Sequence, residues 1–292
     1  MSPSTASPPT VNAPTVNASK ASARKGSAPK VSALVVARNE AGRLPGCLAS
    51  LAPADELVVV LDRSTDGSRN VASGALCRGG AARVLEGAWE LEGERRNAGI
   101  AACTGDWILE VDADERVPPT LWEEVRRAVA ESPHGFHRVR IDNHVGDRLI
   151  RHGWGGSFGT TLKPVLFRRG AKRWRAQRVH PGLDWTGTEG PRIEEAGIRH
   201  EVDRDISDML RRLDRYSSAK AADLLDAGDI GSLPGNLRRV VSRFGKCYVS
   251  RGGWREGGWG LLISLCAGLF PLLSHLKARL EPERHRPPSA TG

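Results

Sequence analysis

Two aspartates one residue apart close the run Trp107-Ile108-Leu109-Glu110-Val111-Asp112-Ala113-Asp114-Glu115. A short apolar run that stops abruptly at charge has the pattern of a buried strand. Carboxylates at the end of a central strand face the crevice where open α/β sheets bind ligands. They are hard oxygen donors suited to Mg2+ or Mn2+, which reaches a protein through one or two carboxylates plus substrate phosphates. The competing reading is a strand followed by an acidic helix start, with Asp114 or Glu115 near the cap. Taken alone, this segment favours the helix start, so the surrounding elements must decide.

Val31 to Ala37 is a continuous apolar run followed by Arg38-Asn39-Glu40, then by Leu44, Cys47, Leu48 and Leu51 at helical spacing up to Pro53. Leu57 to Leu61 reads as a second buried strand, with Asp62 to Ser68 as a polar turn and a helix from Arg69 to Leu76. Arg83 to Glu86 is a weaker strand, and Glu92 to Ala102 a helix carrying Arg95, Arg96 and Asn97. Strands alternating with helices at this spacing predict βαβ units and a mainly parallel sheet. Such a sheet gathers its loop chemistry where strand C-termini emerge. Arg38 to Glu40, Asp62, and Asp112 to Glu115 each follow a strand, so three polar clusters are expected on one edge.

Val35-Val36-Ala37-Arg38-Asn39-Glu40, Asp62-x-Ser64-Thr65-Asp66-Gly67-Ser68, Arg96-Asn97-Ala98-Gly99, Thr104-Gly105-Asp106-Trp107 and Asp112-Ala113-Asp114-Glu115 occur in that order. Together they resemble the nucleotide-sugar half of the family 2 inverting glycosyltransferases of GT-A fold, nearest the lipopolysaccharide-core β-1,4-glucosyltransferase-like branch. The likeness is strong over residues 31–135 and looser at Leu166 to Arg169, Val179-His180 and Lys246 to Gly260. It implies an α/β fold: a GT-A (Rossmann-like) mixed, mainly parallel sheet flanked by helices, with a helical C-terminal extension. It implies that Ala37, Arg38, Glu40 and Asp62 hold the base and ribose of a nucleotide-sugar donor, with a UDP-sugar expected. Arg96 would lie near the base or diphosphate, Asp112 near the ribose or metal shell, and Asp114 on Mg2+ or Mn2+, as a DXD motif. The reaction implied is inverting transfer of a hexose to a glycan or lipid-linked glycan of the cell envelope, such as lipopolysaccharide. A divalent ion would lower the cost of charge developing on the diphosphate leaving group.

Inverting transfer needs a general base for the acceptor hydroxyl. The related branch shows Val-His-Glu, whereas this chain has Val179-His180-Pro181. The candidates left are His180 itself and Asp184, the nearest acidic replacement, with Glu189, Glu194 and Glu195 further on. Trp154, in the glycine-rich segment Arg151 to Gly156, and Trp185 are candidate sugar-stacking platforms, core packing being the alternative for both.

The organisation expected is a disordered tail over 1–30, a glycosyltransferase domain over 31–200 (donor half 31–135, acceptor half 136–200), a helical extension over 201–280 and a disordered tail over 281–292. Lys and Arg number 43 against 34 Asp and Glu, a net +9, which points to a polyanionic neighbour. The apolar run Leu261 to Leu273 is shorter than the ~20 residues of a spanning helix and is interrupted by Pro271. With Trp254, Trp259, Lys277 and Arg279 beside it, it fits a helix in the membrane interface, with packing on its own domain or in a dimer as the alternative. The expected partners are thus a nucleotide sugar, a glycan acceptor and an anionic membrane surface, and the expected location is cytoplasmic, peripheral at the inner face of the plasma membrane. Five scattered cysteines without a Cys-x-x-Cys fit a reducing compartment.

No Gly-x-Gly-x-x-Gly follows a strand and no Gly-Lys-Ser/Thr occurs, so dinucleotide and P-loop readings lose their main support. Nucleic acid is not an expected partner, because neither a binding motif nor an aromatic and basic strand surface is present. A nucleotidyltransferase would want a glycine-rich, cationic phosphate loop where Arg38-Asn39-Glu40 stands. The missing His-Glu carboxylate keeps a non-catalytic, membrane-bound protein of nucleotide-sugar fold as the other alternative.

Overall fold

The computed structural model describes residues 28–155, 159–176 and 182–285. The N-terminal tail up to residue 27 and the base candidate His180 lie outside them. Strands β1 (Val31–Ala37), β2 (Glu56–Asp62), β5 (Arg83–Gly87) and β6 (Trp107–Asp112) run parallel, in the order β5-β2-β1-β6. Between them lie α1 (Leu44–Ser50), α2 (Ser68–Ser73), the short ribbon β3 (Leu76–Cys77) and β4 (Gly80–Ala81), and α3 (Glu92–Ala102). The second helix stops at Ser73, short of the expected Leu76: Gly74 ends it and Leu76 stands exposed on the ribbon.

Beyond β6 come β7 (Glu115–Arg116), α4 (Pro119–Glu131), β8 (Phe136–Val145), β9 (Arg148–Leu149), β10 (Leu162–Arg168), β11 (Lys172–Trp174), β12 (Leu183–Trp185) and β13 (Ile193–Asp203). The sheet continues as β6-β10-β8-β13-β7, with β9 paired to β8. Here β10 and β7 run antiparallel to their neighbours while β8 and β13 are parallel to each other. The sheet is therefore mixed and mainly parallel, as expected, and β11 with β12 forms a separate antiparallel ribbon.

Every residue of β1 is buried. Alternation along the strand sends Val31, Ala33 and Val35 to the face covered by α1 and α4, and Leu34 and Val36 to the face covered by α3. A strand covered on both faces reads as unbroken apolar sequence, which is why this one was legible.

The helices α5 (Ile206–Asp226), α6 (Leu233–Gly245), α7 (Gly258–Leu280) and α8 (Pro282–His285) follow the sheet. They have a core of their own, in which Met209, Leu213, Ile263, Cys266 and Phe270 meet Val145, Ile150 and Trp154. Two expectations fail here. The apolar run is one 23-residue helix that continues through Pro271. Proline removes one backbone donor, but tight packing holds the helix: a Cβ on Gly268 would lie 2.9 Å from the Val240 carbonyl oxygen of α6. Residues 282–285, assigned to the disordered tail, form a helical turn, with Arg284 and His285 paired to Glu281 at 3.7 and 3.4 Å.

Candidate active site

The C-terminal edge of the parallel strands carries the three expected polar clusters side by side, because Val36 pairs with both Val60 and Asp112. Among the described residues, only Asn39 (φ 55°) and Arg63 (φ 49°) are non-glycine residues at positive φ, and they stand just after β1 and β2. Strain of this kind persists only where surroundings impose it. Here two loops are stitched together. The Asn39 N–H donates to Ser64 Oγ at 3.1 Å, its side-chain oxygen accepts from the Thr65 N–H at 2.8 Å, and the Ala41 N–H donates to Asp66 at 3.0 Å.

Ala37 ends β1 in the core and Arg38 is exposed at the loop's start. Asp62 is buried and saturated, accepting from Arg63 Nε at 3.0 Å, Arg95 Nη1 at 3.2 Å and the Trp89 N–H at 3.1 Å. Burial pushes its pKa up, but the bonds from Arg63 and Trp89 outweigh that and hold it below the usual carboxylate range. Glu40 is shifted the other way, raised by burial and by the neighbouring Asp114 and Asp66 against the pull of Arg43.

From the ribbon to the sheet edge runs a chain of alternating charge. Lys172 Nζ sits 2.5 Å from Glu110, Arg96 Nη1 2.6 Å from the other Glu110 oxygen, and Arg96 Nη2 3.2 Å from Asp112. Lys163 then bridges Asp112 at 3.0 Å and the buried Glu115 at 2.7 Å. Charges this deep persist only when each has its partner. Burial opposes the charged form of Asp112, yet Lys163 and Arg96 bring its carboxyl far below the normal range. Glu115 is raised by burial and by Asp112.

Asp114 is placed differently. The Glu201 N–H donates to its carbonyl at 3.0 Å, and Glu115 and Arg116 pair with β13. The acidic helix start is thereby excluded, since α4 begins only at Pro119. The Asp114 carboxylate lies 3.5 Å from His200 Nε2 and 4.0 Å from Arg43. Asn143 Nδ2 donates to the Thr160 carbonyl at 2.9 Å, so its Oδ1 faces His200 Nδ1, also at 2.9 Å. Nδ1 must then carry the proton, and Nε2 presents a lone pair to a carboxylate. Two such acceptors face one another comfortably only with a proton or a cation between them. Among the described residues no group of three His, Cys, Asp or Glu side chains forms a metal site; Asp114 and His200 are two potential metal-ligating side chains 3.5 Å apart.

Asp184 is exposed on the ribbon, bonded to Arg175 Nε at 2.8 Å, which lowers its pKa and weakens it as a base. It lines a cavity with Glu94 and Asn97, while Asp112 lines another with Arg96 and Lys163. Neither tryptophan is a free platform. Trp154 is buried with its indole N–H on the Ile150 carbonyl, and Trp185 stacks on Phe136 at 4.1 Å.

Residues 32–180 match the sequence pattern of the family described as Glycosyl transferase family 2, about half of the chain. The chain belongs to that family. This glycosyltransferase is 25% identical over 253 residues to the lipopolysaccharide core biosynthesis glycosyltransferase LpsC of Rhizobium meliloti (strain 1021), covering 84% of this chain and 90% of that protein. Among solved structures, it is similar to S. aureus TarS, with 17% identity over 63% of this chain and 64% of that one and a TM-score of 0.42. It is also similar to the Mycobacterium tuberculosis glucosyl-3-phosphoglycerate synthase crystallised with Mn2+ and UDP, with 23% identity over 40% and 44% of the two chains and a TM-score of 0.32.

Within the glycosyltransferase, Lys163, Lys172 and His200 are site residues that the sequence did not point to. Lys163 sits in an unremarked strand, and His200 arrives from 86 residues beyond Asp114 through the pairing of β13 with β7. A histidine between Arg199 and Glu201 carries no signal of its own.

Proposed function

We propose that this glycosyltransferase moves a sugar, with inversion, from a nucleotide-sugar donor to a glycan acceptor, and that Asp114 and His200 hold the divalent ion that binds the donor diphosphate. The observation that carries this is the placement of His200 Nε2 3.5 Å from the Asp114 carboxylate, with Nδ1 held by Asn143 on the other side of the ring. When bound, the ion supplies Lewis-acid stabilisation of the diphosphate leaving group. An imidazole ligand suits a softer ion than Mg2+, so Mn2+ is the favoured one. Asp112 has a positioning role: Arg96 and Lys163 fix it as an ionised carboxylate facing the donor ribose. The stitched loops after β1 and β2 shape the base pocket, with Asp62 holding Arg63 and Arg95 in place. A UDP-sugar is the donor we expect.

For the acceptor, the likeness to LpsC along most of both chains supports a lipopolysaccharide-core or related envelope glycan. His180 and Asp184 are the base candidates, and Asp184→Asn should lower kcat without changing donor affinity if Asp184 serves. Calorimetric titration with UDP-, GDP- and dTDP-sugars, with and without Mn2+, tests the donor reading. Metal-dependent binding that Asp114→Asn abolishes is the expected result. Absence of metal-dependent binding to any of the three would overturn it.

A further inference from the structure

The helices α6 and α7 pack against each other in antiparallel fashion. His275 meets the Ile230 carbonyl at one end, Gly268 lies under Val240 in the middle, and Gly253 stands against Ser264 and the Cys247 carbonyl at the other. Each helix leaves a row of aliphatic side chains in solvent at i, i+4, i+8 spacing: Leu233, Leu237 and Val241 on one, Leu261, Leu265 and Leu269 on the other. Val241 is 73% exposed and Leu265 43%. The packed face of α6 is Asn236 and Val240, one residue before Leu237 and Val241.

These two rows form one surface. In α6 the row lies about 100° round the helix from the contact residues Asn236 and Val240; in α7 it lies about 100° round from Ser264 and Gly268. For antiparallel partners, equal rotations in the same sense bring both rows to the same side of the pair. Val249 and Trp254, both more than half exposed, lie in the connection between the two helices. Single exposed leucines are ordinary, but a contiguous aliphatic strip along two helices marks an interaction surface.

Charge identifies the partner. From Leu233 to Leu280 the chain has eight Lys and Arg and one acid, a net +7 out of the whole chain's +9. The one acid, Glu256, is turned inward to accept the Arg151 and His152 N–H groups at 2.9 and 3.0 Å. Residues 31–232, by contrast, hold 29 basic and 31 acidic side chains. Arg238 is exposed on α6, about 100° beyond the first aliphatic row, and Arg279 is exposed on α7, about 40° round from Leu265 of the second. By length and composition α7 passes as a spanning helix, but 56% of its most apolar stretch is buried against the rest of the chain. A helix packed in that way offers one face, not a circumference.

We propose that the α6–α7 face is a docking surface for an anionic phospholipid bilayer, with the two aliphatic rows entering the headgroup boundary and Arg238 and Arg279 beside them meeting lipid phosphates. Apolar burial and headgroup attraction act together in such attachment. The surface is independent of the donor site, so each can fail without the other.

Co-sedimentation of the full chain with vesicles of phosphatidylcholine alone, and with an equimolar mixture of phosphatidylcholine and phosphatidylglycerol, tests this. Binding to the mixed vesicles only, weakened by added salt, is expected. Val241→Glu with Leu265→Glu should abolish it. Arg238→Ala with Arg279→Ala should weaken it by roughly 25-fold, at about fivefold per cation. Circular dichroism of each variant confirms that the fold is kept. Wild-type protein that stays in the supernatant with the mixed vesicles overturns the proposal, as does undiminished binding by the Val241→Glu, Leu265→Glu variant. So does sedimentation velocity showing a wild-type dimer that this variant converts to monomer, because the strip would then be an interface between copies.

Discussion

His200 Nε2 stands 3.5 Å from Asp114 Oδ2, and Asn143, 2.9 Å away on the other side of the ring, sets which nitrogen carries the proton. The orienting contact is as open to test as the proposed ligand pair. Asn143→Ala removes the acceptor for Nδ1–H without touching either ligand, and partners of this kind are worth about 10–100-fold in metal affinity. We expect Mn2+ titrated into the protein, followed by calorimetry, to bind at least tenfold more weakly to Asn143→Ala and more weakly still to His200→Ala. Equal Mn2+ affinity in wild type and His200→Ala would remove His200 from the ligand set.

The chain Lys172–Glu110–Arg96–Asp112 makes an asymmetric prediction about stability. Replacing Glu110 with Leu leaves the buried Lys172 without its carboxylate, while Arg96 keeps Asp112 and Glu92. Breaking a buried pair in this way costs about 3–5 kcal/mol. Lys172→Met leaves Glu110 still neutralised by Arg96 and puts a thioether among Phe167, Trp174 and Trp185, which surround the ammonium at 5.0, 4.7 and 5.5 Å. One carboxylate oxygen then loses its partner, at about 1–3 kcal/mol. Urea unfolding should rank Glu110→Leu as the less stable, and the reverse order would show that the cage, and not the charge, matters more.

Much of the donor half could be read from sequence for a physical reason. Central strands covered on both faces appear as unbroken apolar runs, and the polar residues that end them share one edge by topology, so the sequence pattern alone brings Glu40, Asp62 and Asp112 together. Contacts set by the pairing of distant strands were not legible. His200 reaches Asp114 only because β13 pairs with β7, and Lys163 reaches Asp112 from β10, an antiparallel strand inserted out of order beside β6. The outward face of α6 was not legible either. Leu237 and Val241 follow the helical period as well as core residues do, and periodicity cannot say which of two apolar faces will be covered.

Acid should unfold this protein in two steps. Burial lowers the pKa of His137, which sits between the Ser132 hydroxyl and the Pro191 carbonyl at 2.8 Å each, and burial likewise lowers His144. A histidine held neutral in the fold stabilises it above its unfolded pKa, so that contribution falls away as pH drops below about 6.5. The carboxylates follow. Burial raises Glu56, but the Ser32 hydroxyl and the Thr104 N–H and hydroxyl outweigh it; burial raises Asp55, but Arg126 and the Val31 N–H outweigh that. Both end below their usual values, so the unfolded chain binds more protons and stability is lost as pH falls through about 4. Urea midpoints measured from pH 8 to pH 3 should show a shallow decline followed by a steeper one. Glu56→Gln should flatten only the second, and His137→Gln only the first. A Glu56→Gln profile parallel to wild type below about pH 4.5 would mean that the carboxylate is not held by Ser32 and Thr104 in solution.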